Sequence, residues 1–220
     1  MKKNIFLDLG AEGGISSIWK SGKIEKLFKD YLIYAVDIDN KNIINEKSDI
    51  NIRLIKEIIY SENSIKTFYI PVRDSGSSVF EFNKEYSYLH TKNYHTIINE
   101  IKVQTYRLDY LIESGKLMPP NVIKLDIQGA ELAALKSLGN YLKNVEIIES
   151  EFELIPIYEG QPTFPDLHKF IYENKYDLID MHLSKTYYTN GVKHNYFIEK
   201  YSKSRMGINW MPQVYAGDAF

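Results

Sequence analysis

Several groups of residues in this 220-residue chain have the types and spacing that chemistry needs. The first is Asp8-Leu9-Gly10-Ala11-Glu12-Gly13-Gly14, a glycine-rich turn directly after an apolar run. It is followed by Val36-Asp37-Ile38-Asp39 at the end of a second run. Glycines at such a turn remove Cβ atoms, so the backbone can approach a bound nucleoside and take positive φ. A carboxylate at Asp37 is placed to accept hydrogen bonds from both ribose hydroxyls. The separation of the two features is that of one βαβ unit. Glu12 stands where a dinucleotide fingerprint needs its second glycine, and would set a negative charge against a pyrophosphate. S-adenosylmethionine has no phosphate and carries a sulfonium and an ammonium, so it suits an acidic turn better. The alternatives are a turn that only packs helix on strand, and Asp37 as a helix N-cap.

The second group is Ile123-Lys124-Leu125-Asp126-Ile127-Gln128-Gly129-Ala130-Glu131. Strand alternation puts Val122, Lys124 and Asp126 on one face. Lys124 and Asp126 then stand side by side at the carboxyl end of a strand, where open α/β sheets bind ligands. If the bound nucleoside is S-adenosylmethionine, methyl transfer is an in-line displacement that needs alignment, and a hydroxyl acceptor would also need one proton removed. Asp126 is the first candidate for that proton. A structural ion pair with Lys124 is the competing reading, since a charge so deep in an apolar strand requires a partner. Glu131 is either a second catalytic carboxylate or a first-turn acid complementing a helix dipole. His182 is the best-placed imidazole; His90, His95, His168 and His194 have less positional support. Glu149 and Glu151 follow another apolar run, on one face of it, as contacts to an acceptor or as solvated loop carboxylates. Ser75-Gly76-Ser77-Ser78 is a hydrogen-bonding nest or an ordinary polar turn. Arg107 and Asp109 read as a structural pair at a strand-to-helix junction. Tyr86, Tyr88, His90, Tyr94 and His95 offer flat faces with polar tips, suited to a sugar ring or to a half-buried lid.

These residues need a scaffold, and the chain supplies one. Asn4–Leu9, Tyr31–Val36, Ile52–Ile59, Asn121–Ile127 and Val145–Glu149 are short apolar runs of the kind a sheet covered on both faces requires. Helical patterns predicted over Ile18–Lys29, Asn40–Lys47 and Ala130–Leu142 alternate with them. The alternation predicts an α/β fold with an open, mostly parallel sheet. A helix over Phe164–Asn174, a strand over Tyr176–Ile179 and an antiparallel finish (Tyr196–Glu199 and Val214–Phe220) complete a single domain spanning 1–220. Residues 61–106, with a hairpin around Ile65–Pro71 and a strand over Ile101–Tyr106, read as an insertion over the ligand-facing edge.

Composition narrows the classes of function. Hydrophobic residues make up 44% and charged residues 25%, a globular balance. With 27 basic and 29 acidic residues the net charge is −2, which gives no electrostatic footprint for nucleic acid. There is no cysteine, so disulfides and thiolate zinc sites are excluded. The N-terminal apolar run is too short for a signal peptide core or a membrane span. A cytoplasmic location is expected.

The ordered segments Phe6–Ala11 with Gly14, Ala35–Asp37, Ser75–Ser78, Val103–Asp109, Ile123–Glu131 with Leu135-Lys136, and Pro156–Pro162 together resemble the FkbM family of S-adenosylmethionine-dependent methyltransferases. The resemblance implies a class I methyltransferase fold (Rossmann-like, three layers), S-adenosylmethionine as donor and methylation of an oxygen. Two departures stand out: the helical segment that many members carry ahead of the first strand is missing, and Asp37 replaces the usual glutamate. Carried onto this sequence, Asp8, Gly10, Ala11, Gly14, Asp37, Ser61 and Asp126 are expected to hold the donor. Ser77, Ser78, Lys124, Glu151 and Tyr158 are expected to meet the acceptor, and Asp126, Glu131 and His182 to be catalytic. No metal-ligand spacing stands out, and a divalent metal is left open. The expected acceptor is a sugar hydroxyl of a glycan or glycosylated metabolite. A lipid, peptide or other small metabolite is the alternative within the same chemistry. A nicotinamide-dependent oxidoreductase and a catalytically silent binding module are the readings outside it.

Overall fold

The computed structural model describes residues 4–11, 30–38, 51–84, 95–182 and 207–212, with the backbone alone for His182 and for 207–212. The helices expected over Ile18–Lys29 and Asn40–Lys47, and the strands expected over Tyr196–Glu199 and Val214–Phe220, lie outside these residues. In chain order the strands β1 (Asn4–Leu9), β2 (Tyr31–Val36), β3 (Asn51–Ile55), β4 (Ile58–Ile59), β5 (Ile65–Pro71) and β6 (Ile97–Tyr106) come first. Then follow α1 (Leu108–Glu113), β7 (Val122–Leu125), α2 (Glu131–Ser137), β8 (Ile147–Ser150), α3 (Phe164–Glu173), β9 (Tyr176–His182) and β10 (Gly207–Pro212). They fall into two compact units. One is built from Met1–Ile65, Gln104–Ile127 and Ala133–Ile148, the other from Lys66–Val103, Gln128–Leu132 and Glu149–Phe220.

The first unit is organised by a sheet in which β3, β2, β1, β7 and β8 are neighbours in that order. β1 pairs in parallel with β2 and with β7, and β2 in parallel with β3. Such pairing needs a crossover between strands and leaves both faces covered, which is why β1, β2 and β7 are almost wholly buried apolar runs. Register puts Phe6 beside Ile33 and Val122, and these three form a buried cluster with Tyr31, Ile52 and Ile147 against it. Each such side chain stabilises the fold by roughly 1.5–3 kcal/mol when fully buried. The strand order reverses between β1 and β7, and crevices for ligands open at the carboxyl ends of such a switch point.

Two apolar runs behave differently from their sequence reading. Ile52–Ile59 is not one strand: β3 pairs with β2, whereas β4 pairs in parallel with the end of β6. The charged step Lys56-Glu57 lies between them, and Glu57 is tied to Lys116 instead of to a ladder. The helix expected over Ala130–Leu142 is α2 followed by a 3₁₀ segment, Gly139–Asn144, because Gly139 sits at φ +53°.

In the second unit, β5 neighbours β6, and Val72 N–H donates to the Thr96 carbonyl at 2.9 Å. Phe82, Ile157 and Tyr158 form its buried cluster, with Phe80 and Ile97 packed on them. Thr163 and Asp166 form a capping box that starts α3, with Thr163 N–H donating to Asp166 Oδ2 at 3.0 Å. β9 and β10 pair antiparallel, with an irregularity at Asn209/Trp210. The antiparallel partner of β9 is thus Gly207–Pro212, a segment between the two expected from the sequence, which themselves lie outside the described residues.

Candidate active site

The carboxyl ends of β1, β2 and β7 are knitted together by backbone. Gly10 N–H donates to the Val36 carbonyl at 3.0 Å and Asp126 N–H to the Leu9 carbonyl at 3.0 Å. Gly10 takes φ +79°, and a Cβ on it would lie 1.8 Å from the Asp126 carbonyl oxygen. Glycine is thus required both for the turn and for the close approach. Ala11 is buried against Ala35, with Ile52 and Leu54 packed around them. Asp37, at the tip of β2, donates its N–H to the Ile55 carbonyl at 3.1 Å. Gly10, Asp37 and Asp126 therefore converge at one edge of the first unit.

Register also explains the charges at this edge. Asp8 and Lys124 are direct partners across β1 and β7, two residues beyond Phe6 and Val122 and so on the same face. Lys124 Nζ lies 3.1 Å from Asp8 Oδ1 and 3.6 Å from Asp126 Oδ2, and donates to the Gly10 carbonyl at 3.3 Å. Burial pushes the Asp8 carboxyl up. The charge and hydrogen bond of Lys124 oppose that shift, and the charge of Asp126 adds to it. The Asp8 side chain is 1% exposed, whereas that of Asp126 is 41% exposed. Asp8 is thus built into the sheet, and Asp126 faces outward with an ammonium beside it.

The second unit carries a concavity lined by Gln128, Gly129, Glu131, Glu151, Phe152, Glu153, Tyr158 and Gln161. Its floor is a tight turn: Gln128 at φ +53° and Gly129 at φ +98°. Ser78 Oγ donates to the Gln128 carbonyl at 2.6 Å. Tyr158 OH lies 2.9 Å from Gln128 Oε1 and 3.1 Å from the Gly76 carbonyl, and Gln128 Nε2 donates to Glu151 Oε2 at 3.1 Å. Gln161 Oε1 accepts from the N–H groups of Ile157 and Tyr158. Glu131 is buried, and its Oε1 accepts from Gly129 N–H at 3.2 Å.

A sequence model of the family described as the methyltransferase FkbM domain matches residues 31–178. The chain belongs to the FkbM methyltransferase family. A curated relative, the hexuronic acid methyltransferase AglP of Haloferax volcanii, is 32% identical over 109 residues, which is 48% of this chain and 43% of the relative. A solved FkbM methyltransferase from Methylobacillus flagellatus is 14% identical with a TM-score of 0.49, covering 95% of this chain and 43% of that one. The chain thus spans less than half the length of each.

FkbM membership implies methyl transfer, with S-adenosylmethionine as the cofactor. The residues of the first unit fit that molecule. Gly10 leaves its Cβ position empty, and Asp37 offers a carboxylate where a ribose diol is bound in such folds. Among the described residues of this edge, buried Asp8 is matched by Lys124, and Asp37 and Asp126 add two further carboxylates. A cationic donor is favoured by that balance, and a pyrophosphate is not.

Other residues singled out from the sequence are placed as follows. The Ser61 carbonyl accepts from Arg107 Nη1 at 2.7 Å, beyond the end of β4. Ser77 closes the turn through its N–H to the Asp74 carbonyl, and only Ser78 of the pair reaches the concavity's floor. His182 ends β9, and Gly14 and the Tyr86–Tyr94 stretch lie outside the described residues. Among the described residues no group of three or more His, Cys, Asp or Glu could hold a metal ion, and no helix is long and apolar enough to cross a membrane. Gln128 and Gln161 line the concavity, and although both fall within the family-like segments the sequence reading gives neither a role. Glutamine advertises neither charge nor turn chemistry, and only the spacing of Gln128 from Asp126 marks it.

Proposed function

We propose that this chain carries out S-adenosylmethionine-dependent O-methylation of a sugar hydroxyl in a glycan or glycosylated metabolite. The observation that carries this reading is the convergence of Gly10, Asp37 and Asp126 at the carboxyl ends of β1, β2 and β7. The sugar is supported by the name of the relative, which methylates a hexuronic acid. The bound donor supplies an activated methyl group, so the chain's own share is alignment and proton removal. Asp126 is the carboxylate read as removing the proton, since it is partly exposed just beyond the carboxyl end of β7, with Lys124 Nζ 3.6 Å away. Glu131 is engaged in holding the Gly129 turn, which favours a structural role for it. Glu151 and Tyr158 are read as acceptor contacts. Because glutamates line the concavity, an uncharged sugar should be methylated better than a uronate.

The test is transfer of labelled methyl from S-adenosylmethionine to neutral and uronate-containing glycans. Asp126→Asn should lower kcat by about 10²–10⁴-fold, far more than it weakens calorimetric affinity for the donor. Binding of NAD in place of S-adenosylmethionine would end the reading.

A further inference from the structure

We propose that Gln128 is a positioning residue that fixes the Glu151 carboxylate in the concavity of the second unit. The role rests on the function proposed above, in which that concavity receives the acceptor.

Two non-glycine residues take positive φ among the described residues, Gln128 at +53° and Lys175 at +70°. Lys175 directly follows the C-cap of α3, where a left-handed residue is an ordinary way to end a helix. Gln128 ends no helix. Its conformation carries a steric cost that glycine would avoid. The side chain must therefore return something that glycine cannot, and its contacts show what. Its carbonyl is pinned by buried Ser78, and its amide lies between buried Tyr158 and Glu151. Tyr158 OH sits at Oε1 and the amide nitrogen donates to Glu151 Oε2. Flipping the amide would turn its oxygen against a carboxylate, so the network admits one orientation. The strained backbone and the bridged side chain together set where Glu151 points.

Two variants test this in the whole chain. Gln128→Gly relieves the backbone strain and deletes the bridge. Melting should stay within a few degrees of wild type and donor affinity should be unchanged, while kcat falls about 10- to 100-fold. Gln128→Glu keeps the shape and puts two carboxyl groups together, which then share a proton. While protonated, the introduced carboxyl can still donate to Glu151 and accept from Tyr158. Activity should therefore persist only while the pair holds its shared proton and fall away as rising pH removes it, a high-pH loss that wild type lacks. The same sharing should appear without turnover, as a coupled two-step titration in ¹³C spectra of labelled glutamate, with Glu151→Gln giving the assignment.

Unchanged kcat in a folded Gln128→Gly, or a wild-type pH profile in Gln128→Glu, would overturn the proposal. If Gln128→Gly unfolds, Gln128→Glu decides alone. If wild type methylates no hydroxylated acceptor, the functional reading fails. The glutamate titration then still judges Gln128: coupling upholds it and independent titration rejects it.

Discussion

Gly10 and Gly115 make a matched pair of residues for experiment. Both have positive φ, +79° and +75°, but a Cβ at Gly10 would overlap the Asp126 carbonyl, whereas one at Gly115 meets nothing within 4 Å. Gly115→Ala should therefore cost only the backbone term, about 1–2 kcal/mol. Gly10→Ala adds displacement of β7 and should cost about 2–5 kcal/mol, with loss of donor binding. Denaturant unfolding and calorimetry check both. The importance of Gly10 was legible in the sequence, because a glycine directly after a buried apolar strand marks a tight turn at the sheet edge. The Asp8–Lys124 pair was only half legible. Alternation placed Lys124 and Asp126 on one face, but the partner that buries with Lys124 is set by a register between strands far apart in sequence. Nothing local in the sequence encodes a positive φ at Gln128; it follows from the partners that hold it.

At the scale of elements, α1 depends on a clamp at its first turn. Arg107 is its N-cap, and its guanidinium meets Asp109 through Nε at 2.8 Å and Nη2 at 2.5 Å. Its Nη1 holds the Ser61 carbonyl, and Leu108 N–H donates to Ser137 Oγ at 3.0 Å. Hydrogen bonding from Arg107 holds the Asp109 carboxyl below its ordinary value of 3.8, burial opposing the shift. A lowered carboxyl contributes stability that is complete above the unfolded value and lost as pH falls through the folded one. With both side chains partly exposed, Asp109→Asn should cost about 1 kcal/mol at neutral pH. That deficit should shrink below pH 3.8 and vanish once pH has fallen through the lowered folded value, as read from unfolding curves across pH. This junction was legible, since an arginine and an aspartate two residues apart mark where a strand gives way to a helix. Strands β1, β2 and β7 were legible for a different reason, because burial on both faces leaves a continuous apolar run. β3 and β4 were not separated, since hydrophobicity does not say which neighbour a strand will pair with.

At the scale of the molecule, an FkbM methyltransferase must hold its donor before it can meet any acceptor. The acidic edge lies within one compact unit, so the donor should stabilise that unit by mass action. At 100 times its dissociation constant S-adenosylmethionine should add about 2.7 kcal/mol, which for a chain of this size raises the melting temperature by about 5–10 °C. NAD at the same concentration should not; a scan with both ligands decides. The Gly10–Asp126 contact divides labour within a single residue. The backbone of Asp126 is a structural part, tied to β1 by its N–H on the Leu9 carbonyl and lying close against Gly10, whereas its side chain projects outward. Frame and outward-facing carboxylate are thus carried by separate atoms. If that carboxylate takes the acceptor's proton as proposed, Asp126→Asn should lose turnover without losing the fold.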